Sequence, residues 1–282
     1  MSTPEPGVYP GVSFDDYSEW EAVNHSTLVH FASTPAHAYH AVVNQKEKPS
    51  TNLGHLVHTA ILQPELLEKE YMAVPKVDKR TKEGKRQWAE FERAAEGRML
   101  VQPAEMECAT ALRRRVREHA TLREMLASKG ANELSMLWID PDLGLPCKGR
   151  IDRICELQKQ SFILDFKTHG FVATRKSWES AVQKFGYHTQ AAWYKRGLEI
   201  LRPMPEGIPE RRFAWGVCET VAPYLVRVFD VDEDTLQIGL DEVMRYAQTF
   251  AKCKQTGEWP GWDEGMQTAG LPPWAMKGFA DD

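Results

Sequence analysis

The sequence lacks long apolar runs. No stretch of about 18 hydrophobic residues occurs in its 282, so nothing reads as a membrane-spanning helix. It lacks a secretory opening, because MSTPEPGVYPGVSFDDY contains neither a basic segment nor an apolar one. It lacks a CxxC pair. Its five cysteines (Cys108, Cys147, Cys155, Cys218 and Cys253) are odd in number, which disfavours a disulfide framework and a cysteine-rich zinc site. It also lacks an excess of basic charge. Lys+Arg number 35 against 40 Asp+Glu, a net charge of −5, which excludes global basicity but leaves room for a local basic groove. These absences describe a reduced, cytoplasmic chain. Hydrophobic residues at 42% and charged residues at 27% exclude a disordered or fibrous chain, and the length suffices for a sizeable core.

Residues 1–20, rich in Pro, Gly and acid, read as a loose arm. Residues 21–43 read as two short helices, the first capped by Asn24 or Ser26 and the second opened by Pro35. Helical patterns follow at 52–62 and 103–129, separated by the charged segment 76–98. The texture then changes. Strands are expected at 133–140, 147–155 and 161–168, the last apolar enough to be central. A helix over 177–201, strands at 211–219 and 224–231, and a helix over 232–255 complete the pattern, and 256–282 is an irregular tail. The order implies a single α/β domain over 21–255, with a helical cap at 21–130 and a mixed-sheet core at 131–255. No internal repeat is visible.

The chemistry concentrates in GRIDRICELQKQSFILDFKT. With period two along a strand, Lys148, Arg150 and Asp152 share one face, as do Ile163, Asp165 and Lys167 on the next strand. If the two strands pair through their short turn, Asp152 and Asp165 converge. Paired carboxylates form a hard-oxygen site suited to Mg²⁺ or Mn²⁺. A lysine beside it could orient or deprotonate a water and neutralise charge developing on phosphate, the parts that metal-assisted phosphodiester hydrolysis requires. The same acids also read as strand-end residues paired with Arg150 or Arg153. A second acid-x-Lys triplet, Glu83-Gly84-Lys85, lies in a polar segment with no strand around it. On the helix near residue 55, His55 and His58 share a face, and one imidazole could complete a carboxylate site, though a pair of surface or core histidines has the same spacing. Tyr187, Gln190 and Tyr194 fall on one helical face and could hold a phosphate or support the lysine, or simply pack on the sheet.

Taken together these motifs resemble the RecB-type branch of the PD-(D/E)xK nuclease superfamily, and more narrowly the RecE-type (exonuclease VIII-like) phage and prophage exonucleases. The family pattern of a GxxxH helix, a GRxDR strand, an acid-x-Lys strand and a QxxxY helix corresponds here to Gly54–His58, Gly149–Arg153, Asp165–Lys167 and Gln190–Tyr194, in order and across roughly residues 20–255. The resemblance implies a mixed central sheet flanked by helices. It implies His58, Asp152, Asp165 and the Phe166 carbonyl as metal ligands, Lys167 as the catalytic lysine, and Gln190 and Tyr194 as support for the site or for the DNA backbone. Arg150 and Tyr187 are weaker phosphate-binding candidates, and Glu133 is a candidate additional acid. His55, at the variable position of GxxxH, is expected beside a ligand rather than to be one. Some RecB-type nucleases carry an iron–sulfur cluster on one cysteine before the core and three after it. Only Cys253 lies C-terminal here, so no cluster is expected and the cysteines read as small buried hydrophobes.

The activity implied is Mg²⁺- or Mn²⁺-dependent degradation of linear double-stranded DNA from the 5′ end, leaving 3′ single-stranded tails. The implied partners are DNA ends, a single-strand annealing recombinase and further copies in a closed ring, in a bacterial cytoplasm and of phage or prophage origin. The segment 76–98 and the arginines from Arg113 to Arg123 are candidates for the backbone groove. Trp88, Phe91 or the tail tryptophans are candidates for base stacking. An endonuclease, a single-strand nuclease and a silent DNA-binding protein on the same fold are the alternatives.

Overall fold

The computed structural model describes residues 3–43, 53–205 and 210–271. Its strands are β1 (Gly7–Tyr9), β2 (Tyr71–Ala73), β3 (Met99–Val101), β4 (Lys129–Ile139), β5 (Pro146–Glu156), β6 (Ser161–His169), β7 (Arg212–Glu219) and β8 (Val226–Asp230). Its helices are α1 (Phe14–Ser18), α2 (His25–Leu28), α3 (Pro35–Val43), α4 (Leu53–Leu62), α5 (Leu67–Glu70), α6 (Lys82–Ala94), α7 (Pro103–Glu118), α8 (Ala120–Ala127), α9 (Arg175–Phe185), α10 (Tyr187–Leu201) and α11 (Glu233–Thr256). Six strands form one sheet in the order β1-β4-β5-β6-β7-β8. All neighbours are antiparallel except β6 and β7. A small parallel pair, β2–β3, sits within the helical part of the chain.

Alternation along the central strands builds two cores. Ile163, Phe213, Trp215 and Val217 face one way, against Trp178, Trp193, Leu198 and Val243. Leu164, Phe166, Ala214 and Cys218 face the other, against Leu56, Ala60, Leu112 and Leu122. A strand apolar on both faces is central in such a layered sheet, as expected for 161–168. All five cysteines are free and buried, in keeping with their reading as small hydrophobes.

Several boundaries differ from expectation. The pattern at 103–129 is two helices, because His119 is extended (φ −70°, ψ 117°) and its ring accepts the Leu122 N–H at the start of α8. The pattern at 177–201 is also two helices. Gly186 adopts φ +65°, ends α9 and opens α10, a conformation open to glycine at little cost. Asn24, rather than Ser26, caps α2 through the Thr27 N–H at 2.9 Å.

Over its described residues, 3–20, the arm is not loose. β1 pairs with β4, Tyr17 and Trp20 are buried, and the Lys148 ammonium donates to the carbonyls of Tyr17 (3.0 Å), Ser18 (2.9 Å) and Trp20 (2.8 Å). Three acceptors satisfy the three protons of an ammonium that burial would otherwise penalise. In the tail, Trp259 packs against Tyr39, Phe31 and Phe250, and the Pro260 carbonyl accepts the Ala36 N–H, so these two residues dock on the core while 261–271 are exposed.

α10 approaches the sheet closely because two positions lack side chains. A Cβ on Gly149 would stand 3.1 Å from the Tyr194 ring, and one on Gly197 would stand 2.7 Å from the fully buried Trp138 indole. Gly197→Ala is therefore expected to destabilise the fold by about 1–3 kcal/mol through overpacking, read as a lowered melting temperature. An unchanged Tm would mean that α10 and β4 do not pack as described.

Candidate metal centre

The β5–β6 ladder ends at the Arg153–Leu164 pair. Continuing its register brings Asp152 opposite Asp165 where the two strands part, while β6 stays paired with β7 as far as His169. At this fork the Phe166 N–H donates to Asp152 Oδ2 at 2.7 Å instead of to a strand carbonyl. On the other side of β5, the pairs Asn132–Arg153 and Leu134–Ile151 bracket Glu133 and carry it opposite Asp152. Glu133 has φ +50°, a left-handed value uncommon for a residue with a side chain. Strict alternation would put Ala131 and Leu134 on opposite faces, and likewise Ile151 and Ile154, yet all four pack in one core. The expected alternation therefore runs through Lys148 and Arg150 and breaks at Asp152.

His58 reaches the fork from α4. Its Nε2 lies 2.9 Å from the Phe166 carbonyl and its Nδ1 lies 3.4 Å from Asp152 Oδ2. Donor atoms of His58, Glu133 and Asp152 all lie within 4.8 Å of one another. Asp165 was expected in this set, but its carboxylate, 2% exposed, is ion-paired with Lys167 on the same strand. Glu133, the weaker expectation, joins the compact cluster in its place. Neither Arg150 nor Arg153 pairs with Asp152 or Asp165. Arg153 instead caps α8, donating to the carbonyls of Met125, Leu126 and Ser128 and to Asn132.

Arg150 does not present its guanidinium to solvent. It donates to Glu133 Oε2 (2.8 Å), Ser135 Oγ (3.1 Å) and the Val12 carbonyl (2.8 Å), and its side chain is 13% exposed. Its expected role on phosphate is replaced by one on Glu133. His55 packs its ring edge on Phe14, and the compact cluster of donors is formed by His58, Glu133 and Asp152. Burial, then His58, holds its imidazole below the usual range.

Lys167 points toward α10, its Nζ 5.2 Å from the centre of the Tyr187 ring. Gln190 donates to the Tyr194 hydroxyl (3.1 Å), and Tyr194 is half-buried against Gly149. The three residues expected on one face thus divide: Tyr187 by the lysine, Gln190 between, and Tyr194 packing inward. A cleft of about 340 Å³ opens here, lined by His25, Ser26, His30, Lys167, Tyr187 and Gln190. His25 carried no expectation. Its Nε2 meets Thr189 Oγ1 at 2.7 Å, and because that hydroxyl donates to the Gly186 carbonyl, His25 is the donor. Burial, then Lys167 and His188, pushes its imidazole down to about 3, so it is neutral.

Burial pushes the Asp152 carboxyl up to about 7; His58 and Lys167 pull it down, and Asp165 and Glu133 push it up. Burial works against charge on Lys167 too, but the carboxylates of Asp165 and Asp152 outweigh it and hold the ammonium above its ordinary range. A small divalent cation fits this donor set. Carboxylates, a backbone carbonyl and an imidazole are acceptable ligands, neighbouring ligands at about 2.1 Å on an octahedral ion stand about 3 Å apart, and a half-ionised buried acid is the group whose charge such an ion would stabilise. The ion would have to displace the proton from Asp152. Mn²⁺ affinity is accordingly expected to rise by about tenfold per pH unit up to about pH 7 and to level off above it. Isothermal titration from pH 5.5 to 8.5 reads this, and a flat profile would contradict the assignment of Asp152.

The other candidates lie elsewhere. Glu83 is an exposed residue of α6, paired with Arg86 at 2.6 Å. Trp88 is half-buried, with Lys79 over its ring and its indole N–H donating to Glu92, and Phe91 is buried. Trp274 lies outside the described residues. On α7 and α8, Arg114, Arg117 and Arg123 are exposed, and Arg114 and Arg115 lie 3.8 and 3.6 Å from Glu118.

A family model described as a PDDEXK-like domain of unknown function (DUF3799) matches residues 24–269. No curated protein matches the sequence. Among solved structures, the chain is similar to one from Eubacterium rectale described as a "putative exonuclease", with a TM-score of 0.60 and 13% identity, covering 96% of this chain and 99% of that one. At that identity the likeness shows the fold, a mixed α/β PD-(D/E)xK fold with a central mixed sheet flanked by helices.

Proposed function

The chain belongs to the PDDEXK-like family DUF3799, and from that premise we propose that it is a metal-dependent DNA exonuclease acting through the β5–β6 fork. One observation carries the reading: His58, Asp152, the Phe166 carbonyl and Glu133 converge at the fork, with the Asp165–Lys167 pair beside them. His58, Asp152, Phe166 and Glu133 would hold Mg²⁺ or Mn²⁺, with Asp165 adjoining. A divalent ion there supplies Lewis-acid stabilisation of a phosphodiester.

The chain's own residues supply the rest. Lys167 keeps its proton between two carboxylates, so it acts as a fixed positive charge beside the phosphate rather than as a base. Asp165 holds that ammonium in place. Gln190 and Tyr187 line the lysine's side of the cleft, where a nucleotide can be oriented. Arg150 fixes Glu133 from behind.

The finer reading rests on the RecE-type resemblance: attack on linear duplex from the 5′ end, 3′ tails passed to a single-strand annealing protein, ring assembly, and a phage or prophage setting in the bacterial cytoplasm. Among the described residues no helix is long and apolar enough to cross a membrane. The test is linear duplex labelled at the 5′ or 3′ end beside closed circular DNA, with Mg²⁺, Ca²⁺ or EDTA. Mg²⁺-dependent release of 5′ label, intact circles and no hydrolysis in Ca²⁺ is the expected result. Nicked or linearised circles would make the protein an endonuclease, and no cleavage of any substrate would make it a silent relative.

A further inference from the structure

The N-terminal arm joins the candidate site through two connections. The first is polar. Arg150 donates to the Val12 carbonyl through one nitrogen and to Glu133 through another, both at 2.8 Å, so a single side chain holds the arm and an acid of the metal cluster together. The second is aromatic. Tyr9, Trp20, Tyr17, Phe14 and His55 form a continuous row of rings, with successive centroids 5.6, 5.4, 6.2 and 5.9 Å apart. The row starts at the sheet edge and ends on α4, three residues from His58.

Tyr17 and Trp20 in this row are buried, but Phe14 is 56% exposed. Its backbone is nevertheless fixed. Ser13 caps α1 through the Asp16 N–H, Lys148 holds the carbonyls of Tyr17, Ser18 and Trp20, and Arg150 holds that of Val12. An open aromatic ring on an anchored segment beside a phosphate-cleaving centre suits a nucleobase, because every base offers a π-face whatever its sequence. The Phe14 ring stands 5.9 Å from the His55 ring, and His55 lies one helical turn from His58 on α4, so the open ring neighbours the fork.

We propose that the arm is a wall of the substrate site and that Phe14 stacks on a base of the DNA strand held at the β5–β6 fork. The inference rests on the nuclease reading and adds to it a substrate contact outside the metal cluster.

The test measures binding, not cleavage. Fluorescence anisotropy in Ca²⁺ buffer would follow the intact protein, Phe14→Ala and Phe14→Trp with labelled duplexes. Each duplex carries one abasic site, moved stepwise through the terminal nucleotides of either strand. Phe14→Ala is expected to weaken binding about tenfold. At one abasic position that loss should vanish, because the two changes remove the same contact, and Phe14→Trp should restore affinity and positional dependence. Losses that add at every position, or a Phe14→Trp variant as weak as Phe14→Ala, would overturn this inference alone. No binding by the intact protein would overturn the nuclease reading, and this inference with it.

Discussion

Asp152→Asn is expected to abolish hydrolysis while raising the melting temperature of the metal-free protein. The carboxyl is buried, and burial together with Asp165 and Glu133 pushes it up to about 7 against the pull of His58 and Lys167. An unfolded aspartate titrates near 3.9. Between about pH 4 and pH 7 the native state therefore retains a proton that the unfolded state has released. With more protons bound natively, stability falls as pH rises through that window and levels off above about 7. Asparagine keeps the shape and still accepts the Phe166 N–H, but it never ionises. The variant's advantage should be negligible near pH 4, grow to pH 7 and reach at least about 2 °C at pH 8 in EDTA. Hydrolysis with Mg²⁺ should fall by at least about 10³, because a ligand is lost from a site whose chemistry depends on bound metal. Melting curves in EDTA at pH 4.5 and 8, beside single-turnover cleavage, separate the outcomes. A variant that melts lower at pH 8, or that still cleaves, would show that Asp152 is a structural acid.

Lys167→Ala should lower the single-turnover rate by about 10²–10³ and leave DNA affinity almost unchanged. The ammonium is raised above its ordinary range by Asp165 and Asp152, so its contribution is a fixed charge and a higher pH should not rescue the variant. Truncation also leaves Asp165, 2% exposed, without its partner, which should cost about 3 kcal/mol of stability in metal-free protein. Lys167→Arg should regain much of the stability but little of the rate, since a planar guanidinium does not reproduce a point charge at Nζ. Glu83→Ala and Lys85→Ala on the exposed α6 should change neither. Cleavage by Lys167→Ala within tenfold of the intact protein would remove the lysine from the mechanism.

What the sequence made legible follows from local pattern. β5 and β6 are uninterrupted runs with turn residues between them, so the fork acids and the lysine are legible as belonging to adjacent strands; their place within those strands rather than at the ends is not. His58 was legible because its spacing from Gly54 and the apolar run around it mark one helix. The failures are non-local. The helical period runs unbroken through His119 and Gly186, and the breaks appear only as backbone angles. The arm looked loose because its anchors, Lys148 and Arg150, lie more than a hundred residues away. Glu133 could be ranked only as a weak candidate, since its place opposite Asp152 depends on strand register and its left-handed backbone has no marker in composition. Arg150 reads equally well as a phosphate ligand or as the partner of a buried acid, and only the geometry distinguishes them.

Metal-dependent hydrolysis by this protein requires the β5–β6 fork to hold a divalent ion. Crystals soaked in Mn²⁺ and measured at the manganese absorption edge test it directly. The expected result is an anomalous peak roughly 2.0–2.3 Å from a carboxylate oxygen of Asp152, a ring nitrogen of His58 and the Phe166 carbonyl, lost in crystals of Asp152→Asn. An empty fork at saturating Mn²⁺, or peaks only on exposed surface acids, would contradict it.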